Sequence, residues 1–417
     1  MGRPNKARQI VGLVGAIAVM TTGFLKPVRS MVKIPQVIMV PSGQRITLPW
    51  SNWVTVTSPV GERVSVKPGF VHVGGLNPGH FVIRTKLFGW IPWRSFPVEV
   101  IKPVYEVPGG ESIGVVVNTR GLVVRGYAPV SVGGHFVDPA KEAGIDKGDV
   151  IVKANHRLVT SNRVLQEAIQ QSGRRHKPVA LGVQGARRYH WRYVKPVWSP
   201  VLRTWHIGVM VQGGASGVGT LTFYNPESLK YAALGHSITD GVTPSPIAIN
   251  GGRVTGARIV GIIASRSDGP GQKIGVLASG KNVQGTVVAN SVFGITGRLT
   301  HQPIWGAHHA LPVALPDQVH PGPAQIVTVL HDQKTQLFSI RIIKTYLQWH
   351  AHTKGLLFEV DDPHLLRQTG GIVQGMSGSP IIQDGKLVGA VTHVLLSRPN
   401  LGYGCYAYWM AMQKSFS

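Results

Sequence analysis

A serine hydroxyl attacks a carbonyl only when a base takes its proton and nearby N–H groups hold the charge that develops on oxygen. Gly375-Met376-Ser377-Gly378-Ser379-Pro380 suits that chemistry, because it is a glycine-dense turn between the apolar pairs Ile372-Val373 and Ile381-Ile382. Glycines there let the backbone take positive φ and aim N–H groups at one point. Ser377 and Ser379 are the serines such a turn presents, and Ser377 is the candidate nucleophile. His236, in Leu234-Gly235-His236-Ser237-Ile238-Thr239-Asp240, is the best-placed base. It follows the apolar run Ala232-Ala233-Leu234 and precedes Ser377 by 141 residues, enough chain for a first barrel. His393, in Gly389-Ala390-Val391-Thr392-His393, is the runner-up. A third group, an acid, must be buried against the histidine to fix its tautomer. Residues 231–417 hold eight carboxylates: Asp240, Asp268, Asp317, Asp332, Glu359, Asp361, Asp362 and Asp384. Sequence alone does not choose among them.

The elements that must position these groups read as strands. Runs such as Leu221–Phe223, Arg258–Ile263, Phe338–Ile343, Leu356–Val360 and Leu387–Val391 recur through 199–417 with few helical stretches. A pair of β-barrels fits that length. The 52 glycines and 29 prolines suit many short strands joined by turns. The chain therefore reads as mainly β, with a peptidase-sized domain at 199–417. Residues 34–103 read as a small β domain, with alternation in Val54-Thr55-Val56-Thr57 and turn signals at Pro68-Gly69, Gly74-Gly75 and Pro78-Gly79.

Residues 104–198 read as an α+β unit. Asp138-Pro139-Ala140-Lys141-Glu142-Ala143-Gly144-Ile145 has proline near the start of a short helix and glycine at its end. A second helix runs from Ser161 to Gln171, with Val164, Leu165, Ala168 and Ile169 on one face. With Lys147-Gly148-Asp149-Val150-Ile151, the order resembles a PDZ domain of the kind found in bacterial proteases. Such domains take a peptide onto an open sheet edge and hold its carboxylate in a backbone nest. Ile113-Gly114-Val115 is the best match to that carboxylate-binding loop.

The formal net charge is +25. Such a surface draws anions, anionic lipid headgroups above all. The basic residues are dispersed and form no nucleic-acid-binding motif, so nucleic acid is not an expected partner. One cysteine, Cys405, excludes disulfides within the chain. It sits among Tyr403, Tyr406, Tyr408 and Trp409 with no adjacent cation to activate it. Ile10 to Leu25 is an uncharged, mostly apolar run of 16 residues preceded by Arg3, Lys6 and Arg8. That is the pattern of an export signal. Residues 1–30 are expected to be an uncleaved signal anchor, with a cleaved signal as the alternative and the remainder outside the cytoplasm.

The serine turn is similar to the Gly-Asp-Ser-Gly-Gly-Pro turn of chymotrypsin-like peptidases, which assigns the N–H groups of Gly375 and Ser377 to an oxyanion hole. A closer resemblance covers essentially the whole chain. Asp362-Pro363-x-Leu365-Leu366-x-x-Thr369-Gly370-Gly371-Ile372-Val373-Gln374-Gly375-Met376-Ser377-Gly378-Ser379-Pro380-Ile381 resembles the stage IV sporulation protein B peptidases of endospore-forming bacteria. So do Gly217-Val218-Gly219-Thr220-Leu221-Thr222-Phe223-Tyr224, Ala233-Leu234-Gly235-His236 and Pro108-Gly109-Gly110-x-Ser112-Ile113-Gly114-Val115.

The resemblance implies His236 as base, Asp362 as orienting acid, Ser377 as nucleophile and a chymotrypsin-like double barrel. It implies no cofactor or metal. It also implies a protease of the space between the forespore membranes. There it would cleave a membrane-associated regulator of an intramembrane metalloprotease, so that a late sigma factor is activated, and would cleave itself under control of the PDZ domain. Asp362 stands only 15 residues before Ser377, unlike the usual order, which keeps Asp268 and Asp240 open as acids. Gln212-Gly213 replaces a charged Arg-Asp pair expected in the family. The alternative function is a catalytically inactive PDZ-bearing scaffold at the membrane surface.

Overall fold

The computed structural model describes residues 34, 37–58, 63–185, 188–239, 246–266, 269–278, 283–303, 309–346, 348 and 350–413. The expected anchor at 1–30 lies outside the described residues. None of the described helices is long and apolar enough to cross a membrane. The chain divides into a unit ending at Val104 and a unit from Tyr105 onward.

The first unit is two small sheets around one core. The strands Ile38–Pro41, Ile91–Ile101, Gly79–Leu87 and Val54–Ser58 form one sheet in that order, and Arg45–Pro49, Phe70–Gly74 and Val64–Lys67 form the other. Alternation decides which face is buried: Phe96, Val98 and Val100 point inward from one long strand, between exposed neighbours.

In the second unit the chain starts a barrel, leaves it, and returns. Strand β1 (Ser112–Thr119) is followed by an inserted α+β unit. Its strands are β2 (Leu122–Tyr127), β3 (Val150–Ala154), β4 (Val179–Gln184), β5 (Tyr189–Val194) and β6 (Val209–Gln212). Its longer helix, α1 (Asn162–Arg174), buries Leu165 and Ile169 on the sheet, and Ser161 caps it by accepting from the Val164 N–H. The sheet order is β5-β4-β3-β2-β6, so β6 forms one edge. The insert thus spans residues 122–212 rather than starting at 104.

The barrel then resumes with β7 (Ala215–Tyr224), β8 (Lys230–Leu234), β9 (Ile249–Ile263), β10 (Gln272–Leu277), β11 (Val283–Ser291) and β12 (Gly294–Leu299). The pairing β8-β12-β11-β9-β1-β7, with β7 also joined to β8, closes six strands on themselves, while β10 pairs outside the ring on β9. Closure removes open edges. Ile113, Val115, Val117, Leu221, Val254 and Ile295 fill this barrel.

A second closed barrel runs β13-β14-β15-β18-β17-β16. Its strands are β13 (Gly322–Val329), β14 (Thr335–Thr345), β15 (Leu356–Val360), β16 (Pro380–Gln383), β17 (Lys386–Leu395) and β18 (Arg398–Tyr406). Phe338, Ile340 and Ile342 alternate inward on β14 and meet Phe358, Ile381 and Val391 in one core. Each such fully buried side chain contributes roughly 1.5–3 kcal/mol of burial free energy. The fold is therefore mainly β, with two six-stranded barrels in the chymotrypsin-like arrangement.

Candidate active site

Ser377 and His236 come from different barrels and both lie beside β17 at the seam. The Ser377 Oγ donates to the Thr392 carbonyl, the His236 ring stands next to His393, and no hydrogen bond joins the two among the described residues. His236 follows the last residue of β8, where Leu234 (φ 75°) and Gly235 (φ 70°) turn the chain sharply. The serine turn links α2 (Pro363–Thr369) to β16. Gly375 and Gly378 hold φ of 94° and 93°, a region costly to any side chain bearing Cβ. A Cβ on Gly378 would stand 2.5 Å from the Leu234 nitrogen, so the turn packs directly on the strand end that carries His236. Thr220 of β7 fastens the turn twice. Its N–H donates to the Ser377 carbonyl at 3.1 Å, and its Oγ1 donates to the Gly375 carbonyl at 2.8 Å. The Gly378 N–H donates to the Val391 carbonyl of β17 at 2.8 Å.

With those carbonyls tied down, the N–H groups of Gly375 and Ser377 have no hydrogen-bond acceptor among the described residues. Two free N–H groups flanking a serine are the donors an oxyanion requires. Ser377 is partly exposed, and its Oγ donates to the Thr392 carbonyl at 3.3 Å. Ser379 is fully buried and its Oγ lacks a partner among the described residues, so no substrate carbonyl reaches it. Cys405 is buried as well, and burial pushes its thiol up to about 12, far from a reactive thiolate.

His236 lies beside the same residues of β17. A Cβ on Gly235 would touch the Thr392 methyl at 3.0 Å, and the His236 and His393 rings stand 5.6 Å apart. The His236 Nδ1 lies 3.0 Å from the Ser237 carbonyl. That contact fits a ring whose Nδ1 carries the proton and whose Nε2 is left to accept one. His393 is pushed down to about 4, first by desolvation and then by His236 and Lys354 nearby. It keeps an exposed face on β17, one residue beyond the Thr392 carbonyl that receives the Ser377 hydroxyl.

One expected triad residue, Asp362, is placed elsewhere. Asp362 caps α2: one carboxylate oxygen accepts from the N–H groups of His364 and Leu365, the other from Ser339. Desolvation acts to raise its pKa, but these backbone bonds and His364 hold it below the usual carboxylate value. β15 is level with the site at Leu356, which pairs with Gly404, the partner of Val391. Asp362 follows the far end of that strand, roughly 20 Å further on at about 3.3 Å per residue. The structure therefore does not bring Asp362 to His236. Asp240 and Asp268 lie outside the described residues.

Ile113-Gly114-Val115 needs correction too. It is in β1, paired with β7 on one side and β9 on the other, so it has no open edge for a peptide. Sequence reading missed the equivalent run at the free edge, Ile207-Gly208-Val209, whose identical apolar-glycine-apolar pattern was the available signal.

A serine turn with two unused N–H groups, packed against a histidine at the seam of two barrels, defines a serine peptidase. Residues 203–411, half of the chain, match the family model described as SpoIVB peptidase S55, and the chain belongs to that family. A crystal structure of the Rv3671c protease in an inactive form is similar at 16% identity and a TM-score of 0.27, covering 47% of this chain and 82% of that one. No curated protein matches the chain closely in sequence.

Proposed function

We propose that this serine peptidase is a signalling endopeptidase acting outside the cytoplasm. Ser377 is its nucleophile, His236 its base, and the N–H groups of Gly375 and Ser377 its oxyanion hole. His236 takes the hydroxyl proton as Ser377 Oγ bonds the scissile carbonyl carbon, then returns it to the leaving amine. The observation that carries this reading is the pinned turn, whose carbonyls are bonded to Thr220 while its two N–H groups have no acceptor among the described residues. Resemblance to the sporulation peptidases supports the finer role: cleavage of a membrane-associated regulator of an intramembrane protease, and cleavage of the chain itself.

The inserted unit supplies substrate docking. A groove of about 970 Å³ lies between α1 and the free edge strand β6, with Leu165, Ile169, Ile207, Val209 and Val211 among its apolar residues. Gly208 holds φ of 75° at its head. The carbonyls of Ile207 and Gly208 accept from Ala140 and Ala128, and the N–H groups of Ile207 and Gly208 have no acceptor among the described residues. That geometry suits strand addition by a peptide whose terminal carboxylate meets the turn.

Incubation of the purified full chain tests the catalytic part. Wild type should shorten itself with time, and Ser377→Ala and His236→Ala should stay intact while remaining folded. Continued shortening of Ser377→Ala would overturn the assignment. Docking is tested with a fluorescent peptide bearing a free or an amidated C-terminus. The free acid should bind and the amide should not; equal binding of both would remove the carboxylate turn from the account.

A further inference from the structure

Lys273 is 1% exposed, the only buried lysine or arginine among the described residues. It lies on β10, paired with Ile262 of β9. Its own N–H donates to the Gln374 carbonyl at 2.9 Å, and the Gln374 N–H donates to the Gly271 carbonyl at 2.8 Å. The residue immediately before Gly375 is thus held by two backbone bonds. The lysine stem passes directly under Gly375: a Cβ there would stand 3.2 Å from both Cβ and Cδ of Lys273. Its Nζ crosses to the second barrel and donates to Thr328 Oγ1 at 2.7 Å, and Thr328 is itself fully buried on β13.

A methionine of similar length would fill this space without the cost of taking an ammonium out of water. An ammonium has three N–H donors, and Thr328 is its single acceptor among the described residues. No carboxylate pairs with it among the described residues. β7, β13 and the turn 371–379 bear no charged side chain, and β9 bears only Arg253 and Arg258. Burial alone lowers its pKa to about 7. Proton transfer between Ser377 and His236 does not use this residue, yet it is built into the floor of the turn that must receive negative charge.

We propose that Lys273 is a positioning residue for the oxyanion turn. It braces Gly375 from below, and its ammonium, anchored across both barrels on Thr328, adds positive potential beneath the N–H groups of Gly375 and Ser377. This rests on the reading of residues 375–377 as the oxyanion turn. The consequence is a rate with two opposed requirements. His236 must be neutral to take the serine proton, which favours higher pH. Lys273 must be protonated to support the developing oxyanion, which favours lower pH and fails as pH rises through about 7.

The test is the rate at which a fluorophosphonate labels the full chain, measured from roughly pH 5.5 to 9.5, on both sides of the value of about 7 to which burial brings Lys273. Wild type should give a bell-shaped profile. Lys273→Met should label on the order of 10- to 100-fold more slowly near pH 6.5 and lose the alkaline limb. Thr328→Val removes the acceptor that favours the ammonium, so its alkaline limb should move to lower pH; this variant decides the matter if Lys273→Met does not fold. Lys273→Met with the wild-type rate and profile, or Thr328→Val with an unmoved limb, would overturn the proposal. Ser377→Ala separates the two readings: undiminished labelling there sinks the nucleophile assignment itself, whereas labelling confined to Ser377 but indifferent to Lys273 sinks only this inference.

Discussion

Ile113-Gly114-Val115 and Ile207-Gly208-Val209 carry the same apolar-glycine-apolar pattern at two places in one unit. The first has a neighbour on each side, β7 and β9, and its Ile113 and Val115 are buried in the barrel core. The second turns into β6, which is bonded to β2 on one edge and faces α1 across a groove on the other. The glycines differ accordingly. Gly114 has no positive φ, but its missing side chain lets Leu277 Cδ2 and Thr255 Oγ1 close in, the latter at 2.7 Å from where a Cβ would be. Gly208 has positive φ and needs the conformation rather than the space. Whether a strand can accept a partner depends on whether its second edge is already used, and a local pattern does not encode that.

Four variants probe the contrast. Gly114→Val should be the most damaging: the added methyls collide with Leu277 and Thr255, and overpacking of about 1–3 kcal/mol or more should be visible as a lowered denaturation midpoint and lost labelling of Ser377. Gly208→Ala places a side chain in the left-handed region at about 1–2 kcal/mol, with Pro139 Cδ 3.1 Å from the new carbon. The barrels should survive it, and binding of a free C-terminal peptide should be lost while labelling of Ser377 persists.

The two runs also differ in their charged neighbours. Beside the buried run, Glu111 is raised to about 8 by burial, against an opposing bond from its own backbone N–H, and one of its oxygens has no partner among the described residues. A folded pKa above the unfolded value means the native state binds the extra proton between about 4.5 and 8. Stability from this group is therefore full below about 4.5 and falls as pH rises toward 8. Glu111→Gln should flatten that part of the stability–pH curve, read by urea denaturation at about pH 5 and about pH 8. Around the groove, Arg174 and Arg175 stand exposed on the lining. Replacing both with glutamine should weaken an acidic peptide by a few-fold and reduce the salt dependence of its binding, the smallest of the four effects.

Much of this was legible in the chain. The glycine-dense turn around Ser377 and the apolar strand before His236 are local signals, and the structure forms both the turn and the strand. Long-range pairing was not legible. Nothing near Ser112 announces that its strand is separated from its barrel partners by an insert of some ninety residues (122–212). Asp362 illustrates the same limit: Asp-Pro before a helical run is equally an N-cap signature and a family motif, and here its oxygens are taken by backbone N–H groups. Lys273 gave no signal at all. A lone lysine in Gln272-Lys273-Ile274 reads as a solvated strand face until the second barrel is seen to close over it.

The central claim is that the pinned turn and His236 together activate one serine. Mass-spectrometric mapping of the fluorophosphonate adduct tests it most directly. The adduct should lie on Ser377 alone in the wild-type chain and fall by on the order of 10³-fold or more in His236→Ala, a variant that leaves the turn intact. An adduct on Ser379 or another residue, or labelling of Ser377 that survives the loss of His236 undiminished, would contradict the account.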